Sequence, residues 1–322
     1  MKVVMWYNNS DIRIEEMEKP IPKNKEIMVK VHACGICGSD LAEWYRLPRA
    51  PLVQGHEMGG EVAGTGPGIT NFRKGDRVFV APKIGCLKCK TCLKGHESTC
   101  PKVKARVPGA FAEFVCVPEE LENTVFKIPD DITYETATFI EPLACVIRSQ
   151  KLAGVRMGDS ILVIGSGISG LLHIKLAKAI GAEATATDVN EKKLEYARKF
   201  GAETEIRGRK FDVVIVTAAA LKALELAWDS VDLGGTIVLF TVPSPDKQVV
   251  VPINDFWRKE VRIVTSYYCS LDDLKESMVY LFSKKITVEE MITHRFPLEK
   301  TAEGFSKMME GSCLKVIIEP QK

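Results

Sequence analysis

The chain has 322 residues, enough for about two domains at roughly 150 residues each. Hydrophobic residues make up 46% and charged residues 27%, a globular balance that excludes a disordered or collagen-like chain. The formal charge is +2, from 44 basic against 42 acidic residues with no block of one sign, so no nucleic-acid footprint and no membrane-binding patch is expected.

Residues 1–146 read as short strands separated by turns. Glu26-Ile27-Met28-Val29-Lys30-Val31 and Asp76-Arg77-Val78-Phe79-Val80 have strand composition, and Gly64-Thr65-Gly66-Pro67-Gly68 is a turn signal between them. Near Gly158 the texture changes. Ile161-Leu162-Val163-Ile164 is a continuous apolar run, as expected of a parallel strand buried on both faces. A glycine-rich turn follows, then a helical stretch from Leu171 to Ile180 stopped by Gly181. Strand-like 184–187, helical 191–200, strand-like 211–217, helical 221–231 and strand-like 236–241 continue the alternation, which predicts βαβ units and a parallel sheet. An edge strand is expected near Val249-Val250-Val251-Pro252. Two further helices, 271–284 and 298–310, and a strand, 315–319, are too short for a core of their own and are expected to pack on the first domain. No apolar run reaches the roughly 18 residues of a membrane span, and the first nine residues lack a signal-peptide core, so a cytoplasmic location is expected. Thiols stay reduced there, so clustered cysteines point to metal rather than to disulfides.

Gly165-Ser166-Gly167-Ile168-Ser169-Gly170 is a Gly-x-Gly-x-x-Gly placed between a strand and a helix, with Asp188 at the end of the next strand. Gly165 would allow the tight turn, Gly167 the approach of a pyrophosphate, and Gly170 close packing of helix on strand. Asp188 would accept from ribose hydroxyls and repel a 2′-phosphate, which favours NAD over NADP. Cys86, Cys89, Cys92 and Cys100 form a Cys-x-x-Cys-x-x-Cys-x7-Cys run. Four thiolates so close in sequence can close a tetrahedral zinc site with no open position, hence a structural one; an iron–sulfur cluster takes the same four ligands, and the spacing favours zinc. Cys37, His56, Glu57 and Glu141 make a sparser set that could hold a catalytic zinc, though spacing alone does not establish it. Cys34 and Cys37 form a Cys-x-x-Cys, but the βαβ context of a thioredoxin-like site is missing.

Cys34-Gly35-Ile36-Cys37-Gly38-Ser39-Asp40, Gly55-His56-Glu57, the four cysteines, Glu141-Pro142-Leu143-Ala144 and the Gly165–Gly170 turn together resemble the zinc-dependent medium-chain alcohol dehydrogenases over nearly the whole chain. The Glu-Pro-Leu-Ala run and 293–300 are most similar to the polyol branch typified by sorbitol dehydrogenase. The resemblance implies an α/β chain with a Rossmann NAD-binding domain, 147–265, and a mostly β GroES-like catalytic domain with a structural zinc lobe, 1–146 with 266–322. It implies two zinc ions per chain and NAD as cofactors, a small alcohol or polyol as substrate, and a homo-oligomer, dimer or tetramer. Cys37 and His56 would ligate the catalytic zinc, Glu57 would ligate it or hold a bound water, and Glu141 would sit at or beside it. Ser39 would accept the substrate hydroxyl proton, and Lys193 would contact the adenosine ribose, although a lysine there also reads as a solvated helix face. The chain departs from the family at Ala42, where a relay histidine is common, and at Tyr267-Tyr268, where the polyol branch has Arg-Tyr. Two other readings stay open: an amino-alcohol (threonine-type) dehydrogenase of the same family, and a zinc- and NAD-binding sensor without catalysis, for which only Ala42 speaks.

Overall fold

A computed structural model of the chain describes every residue except 104. It forms two compact units, residues 1–142 with 281–322, and residues 143–280.

The first unit starts with the hairpin β1 (Lys2–Asn8) and β2 (Asp11–Glu16), followed by β3 (Ile27–Gly35), the short helix α1 (Glu43–Arg46), β4 (Leu52–Val53), β5 (Glu57–Thr65) and β6 (Arg77–Val80). The helical turn α2 (Lys90–Leu93), β7 (Phe114–Val117), β8 (Val125–Lys127) and α3 (Tyr134–Ala137) complete this part, and α4 (Ile140–Ala153) lies mostly in the second unit. In the second unit β9 (Ser160–Ile164), α5 (Ile168–Ile180), β10 (Glu183–Thr187), α6 (Glu191–Lys199), β11 (Phe211–Val216), α7 (Leu221–Ser230), β12 (Val231–Leu239), α8 (Ile253–Lys259) and β13 (Arg262–Thr265) alternate, and α9 (Leu271–Phe282) follows. The chain returns to the first unit with β14 (Ile292–Pro297), α10 (Thr301–Glu310) and β15 (Lys315–Glu319).

The main sheet of the first unit runs β14-β15-β3-β5-β6-β8, with β7 also on β3. Val29, Val31, Val316 and Ile318 of this sheet share one buried apolar cluster with Trp6 of β1, Phe111 and Phe305 of α10. Removing each such side chain from water contributes about 1.5–3 kcal/mol, which fixes the strand register and with it the ends of β3, β5 and β15. Antiparallel pairing sets Gly35, the last residue of β3, opposite Glu57, the first of β5, while Ile317 of β15 also pairs with Gly35.

The second unit is a parallel sheet in the order β10-β9-β11-β12-β13. Ile161, Leu162, Val163, Val214, Ile215 and Ile237 are each fully buried, as a sheet covered on both faces requires. On the far side of β10 a single bridge among the described residues, Thr185 to Glu203, continues the sheet. Two sequence expectations change here. Residues 249–252 form no strand; they lead into α8, Pro252 lacks a donor for a ladder, and β13 is the edge instead. Helix α9 clusters with the second unit, because Asp273 caps its start through the Ser270 backbone N–H (2.9 Å) and meets Lys151 (2.9 Å) and Arg148 (3.8 Å) on α4.

Candidate active site and metal centres

The first site lies where β3 and β5 end beside each other. Past β3 the chain makes a 3-10 turn, Gly38–Asp40, capped by Cys37: its Sγ accepts from Ser39 N (3.4 Å) and its N–H donates to Asp40 Oδ2 (3.0 Å). Asp40 is fully buried, and its Oδ1 faces both His56 Nδ1 (3.3 Å) and Arg46 Nη2 (2.8 Å). Gly55, at φ +93°, turns the chain so that His56 faces this carboxylate. Donation from Nδ1 to Asp40 leaves Nε2 for a metal, the usual way a carboxylate sets the tautomer of a ligating imidazole.

One atom each from Cys37, His56 and Glu57 lies within 4.8 Å of the others. Glu57 and Lys315 are both 1% exposed and form a buried ion pair. Lys315 Nζ also donates to Ile36 O (3.3 Å). A Cβ on Gly35 would collide with this pair, so any other residue at the strand end would have to displace it. Burial opposes a charge on Lys315, but Glu57, Cys37 and Glu141 outweigh it and hold its pKa above the usual lysine value. Burial likewise opposes a charge on His56, and Asp40 and Cys37 outweigh it and hold its pKa well above the usual range. This arrangement attracts positive charge to the imidazole, and a cation shared by Cys37 and His56 satisfies the same demand.

The second site is the four-cysteine lobe. Its sulfur separations are 3.5 Å (Cys89–Cys92), 3.8 Å (Cys89–Cys100) and 4.0 Å (Cys86–Cys92). Tetrahedral zinc with bonds of about 2.3 Å needs sulfurs about 3.8 Å apart, so the donor set fits the ion. Backbone N–H groups of Cys86 and Lys102 both reach Cys100 Sγ at 3.4 Å, as is usual around a ligating thiolate. Leu87 adopts φ +58°, a left-handed conformation that costs a β-carbon residue about 1–2 kcal/mol.

The third site is the turn after β9. Gly165 has φ +102°, and a Cβ on it would press on Thr217 Oγ1, whose hydroxyl donates to Gly165 O at 2.8 Å. A Cβ on Gly170 would strike Gly165 O, whereas Gly167, at the start of α5, faces open space. Asp188 Oδ2 accepts from Ser166 N (2.6 Å) and Oδ1 from Asn190 N (2.8 Å), which fixes the carboxylate against the turn. Ser166 is fully buried, and its Oγ has no partner among the described residues. A glycine without neighbours at a helix start, a fixed carboxylate and an orphaned hydroxyl fit a dinucleotide pyrophosphate and ribose.

Comparison with known proteins agrees with this geometry. The alcohol dehydrogenase GroES-like domain matches residues 23–130, and the zinc-binding dehydrogenase domain matches residues 169–284. The sorbitol dehydrogenase of Bacillus subtilis (strain 168) is 30% identical, over 100% of this chain and 98% of its own length. The chain belongs to the zinc-dependent medium-chain dehydrogenases, in their polyol branch. Among solved structures, galactitol-1-phosphate dehydrogenase from Escherichia coli is 27% identical with a TM-score of 0.87, covering 99% of this chain and 100% of its own. A structure described as a zinc-binding dehydrogenase from Sinorhizobium meliloti 1021, bound to NADP, is 26% identical with a TM-score of 0.89 and 99% coverage of both chains. This zinc dehydrogenase is therefore an oxidoreductase of alcohols and polyols that works with zinc and NAD.

Of the residues singled out in the sequence, the structure brings Cys37, His56 and Glu57 together and leaves Glu141, buried in the first turn of α4, outside that group. Ser39 sits on the capped turn beside Cys37. Lys193 lies in the first turn of α6, near Asp188 in sequence and half-buried, with no ion pair among the described residues. Three residues of the Cys37–His56 corner were not assigned roles from the sequence: Asp40, Arg46 and Lys315. Lys315 carries the clearest signal, a lysine at the head of the apolar strand Lys315-Val316-Ile317-Ile318, on the same side as buried Ile317.

Proposed function

We propose that the catalytic zinc is held at the Cys37–His56 corner and that a small polyol or secondary alcohol is oxidised there, with NAD at the Gly165–Gly170 turn. The convergence of Cys37, His56 and Glu57 within 4.8 Å, with Asp40 bonded to the far imidazole nitrogen, carries this reading. Zinc supplies a Lewis acid that favours ionisation of the substrate hydroxyl, and NAD supplies the hydride acceptor.

The protein's own groups do the rest. Asp40 orients His56; Lys315 neutralises Glu57, which stands ready to ligate or to hold a water; Glu141 adds a second carboxylate near Lys315. Ser39 Oγ takes the proton of the substrate hydroxyl. Asp188 holds the adenosine ribose, with Lys193 beside it. Since one structural neighbour is bound to NADP, cofactor choice rests on Asp188 rather than on the fold. Cys86, Cys89, Cys92 and Cys100 hold a second, structural zinc.

Beyond the site, none of the ten cysteines is in a disulfide, which suits a reducing cytoplasm. The open side of β13 and the exposed Val250, Ile253 and Trp257 suit a two-fold contact with a second copy, in a dimer or tetramer, to be checked by light scattering. The test of function is NADH formation with a panel of polyols, vicinal diols, sugar alcohol phosphates and threonine, alongside zinc analysis. Turnover with a polyol or diol is expected. Threonine as the best substrate would move the chain to the amino-alcohol branch, and no turnover from protein holding two zinc ions would overturn the reading.

A further inference from the structure

Residue 42, beside the Gly38–Asp40 turn, is an alanine that can carry no proton, so the neighbouring side chains decide where Ser39 would send the proton it takes. Ala42 is the cap of α1, and one turn on, Arg46 folds back over the Gly38–Asp40 turn with its side chain only 12% exposed. Its Nε donates to Ser39 O (2.9 Å), and its Nη2 donates both to Ser39 Oγ (2.9 Å) and to Asp40 Oδ1 (2.8 Å). Glu43, the other candidate on α1, is turned away and accepts from Asn9 N (2.8 Å).

We propose that Arg46 is the positioning residue of this corner, fixing the Ser39 hydroxyl and the Asp40 carboxylate together, and that it closes the side-chain exit for the Ser39 proton so that the proton passes to water. The proposal rests on the assignment of catalysis to the Cys37–His56 corner. A guanidinium has five donors and no acceptor, and it does not deprotonate in proteins, so Arg46 cannot take the proton on. It does occupy one lone pair of Ser39 Oγ. That leaves the hydroxyl one lone pair to accept the substrate proton and one O–H to donate. As the substrate O–H breaks and a bond to Ser39 Oγ forms, the proton already on Oγ transfers to a water molecule; bound NAD would supply the acceptor for the carbinol hydride. The same guanidinium shares Asp40 Oδ1 with His56, so its removal loosens the carboxylate that orients the imidazole.

The test starts from wild-type protein with established turnover on the substrate panel, so failure of the functional reading is recognised before any variant is made. Arg46→Ala is expected to lower kcat about 10- to 100-fold with KM for NAD unchanged, and to speed the stripping of zinc from the Cys37–His56 site by a chelator about tenfold. Added guanidinium at millimolar concentration should restore a good part of kcat in Arg46→Ala and do nothing for wild type. Arg46→Lys, which keeps the charge but cannot span three acceptors, should recover little. Ala42→His alone should leave turnover within about twofold at any pH, because Ser39 is already engaged, whereas Ala42→His with Arg46→Ala should exceed Arg46→Ala several-fold. Full activity and normal zinc retention in Arg46→Ala would overturn the proposal. So would a loss that guanidinium does not rescue in a variant with wild-type melting, or a large gain from Ala42→His alone.

Discussion

The four-cysteine lobe and the Cys37–His56 corner both gather atoms that could ligate a metal within 4.8 Å, and they do so by opposite means. In the lobe all four ligands lie within 15 residues of sequence, and none of residues 84–100 belongs to the apolar core of the first unit. Leu93 is 75% exposed there, Leu87 is in a strained backbone conformation, and Cys92 is buried among other thiols. At the corner the ligands come from the turn after β3 and from the head of β5. Behind them stand a buried carboxylate on the imidazole, a guanidinium on the carboxylate and a buried lysine on Glu57. The lobe has no apolar core to hold its shape, and the zinc proposed there would supply that hold, whereas the corner is set in a packed sheet.

Removing ligands separates the two most strongly. His56→Ala should lower turnover by about a thousandfold or more, since the several kcal/mol of charge stabilisation at the corner is lost, and should leave the melting temperature nearly unchanged. Cys92→Ser should do the reverse: the lobe loses order and protease cleavage appears within residues 86–100, because structural zinc contributes roughly 10–16 kcal/mol to the folding of such segments. Equal proteolytic sensitivity in the two variants would mean that the lobe holds its shape without its ion.

A smaller perturbation asks whether the corner is held by its own charges. Lys315→Met should destabilise the first unit by about 3–5 kcal/mol, because Glu57 is left buried without a partner. Adding Glu57→Gln should restore most of that loss, as read by denaturant unfolding. Lack of recovery would mean that Lys315 acts through more than its pair with Glu57, its Nζ also lying over the Phe139 ring at 5.5 Å.

These two designs were unequally legible in the sequence, for a physical reason. The lobe and the Gly165–Gly170 turn are local: their chemistry is contained in runs of 15 and 6 residues, and spacing alone states the geometry. The parallel alternation of the second unit was legible too, because a strand buried on both faces is an unbroken apolar run. The corner is not local. Lys315 lies 258 residues from Glu57, and only the pairing of β15 and β5 on either side of β3 brings them together. Arg46 reaches Ser39 through the fold-back of a four-residue helix that no periodicity announces. The valines at 249–251 misled because β-branched composition suggests a strand, while Pro252 and the lack of a partner decide against one.

At the dinucleotide turn, which is built by the scaffold without any ion, Asp188→Ser should weaken NAD binding about tenfold and relax discrimination against NADP by at least as much. Charge-assisted hydrogen bonds of about 1.5–3 kcal/mol set that scale. Fluorescence titration with NADH and NADPH checks it. A wild-type preference for NADPH would contradict the role given to Asp188.

Acid gives the mildest separation of ion-built from scaffold-built structure. In the second unit His173 on α5 is fully buried, with Gln150 Nε2 donating to its Nδ1 (3.2 Å) and to its carbonyl (2.9 Å). The amide nitrogen only donates, so Nδ1 accepts and the ring is the neutral Nε2–H form, edge-on to Phe240 at 4.9 Å. Burial alone lowers its pKa to about 3. In the unfolded chain the same histidine titrates near 6.5. Between those values the unfolded state binds the extra proton, so stability falls as pH falls, and it is fully present only above about 6.5. From pH 6.5 to pH 5 the loss should be about 2 kcal/mol at 1.36 kcal/mol per unit. His173→Leu should flatten that slope whatever it does to stability at neutral pH, because the titrating group is gone. The lobe should answer acid differently, by protonation of its thiolates and release of the zinc proposed there, which a metal indicator follows independently of unfolding. Identical slopes between pH 6.5 and 5 for wild type and His173→Leu would show that the acid sensitivity of the second unit comes from another group, and that the neutral imidazole is not held at the stated cost.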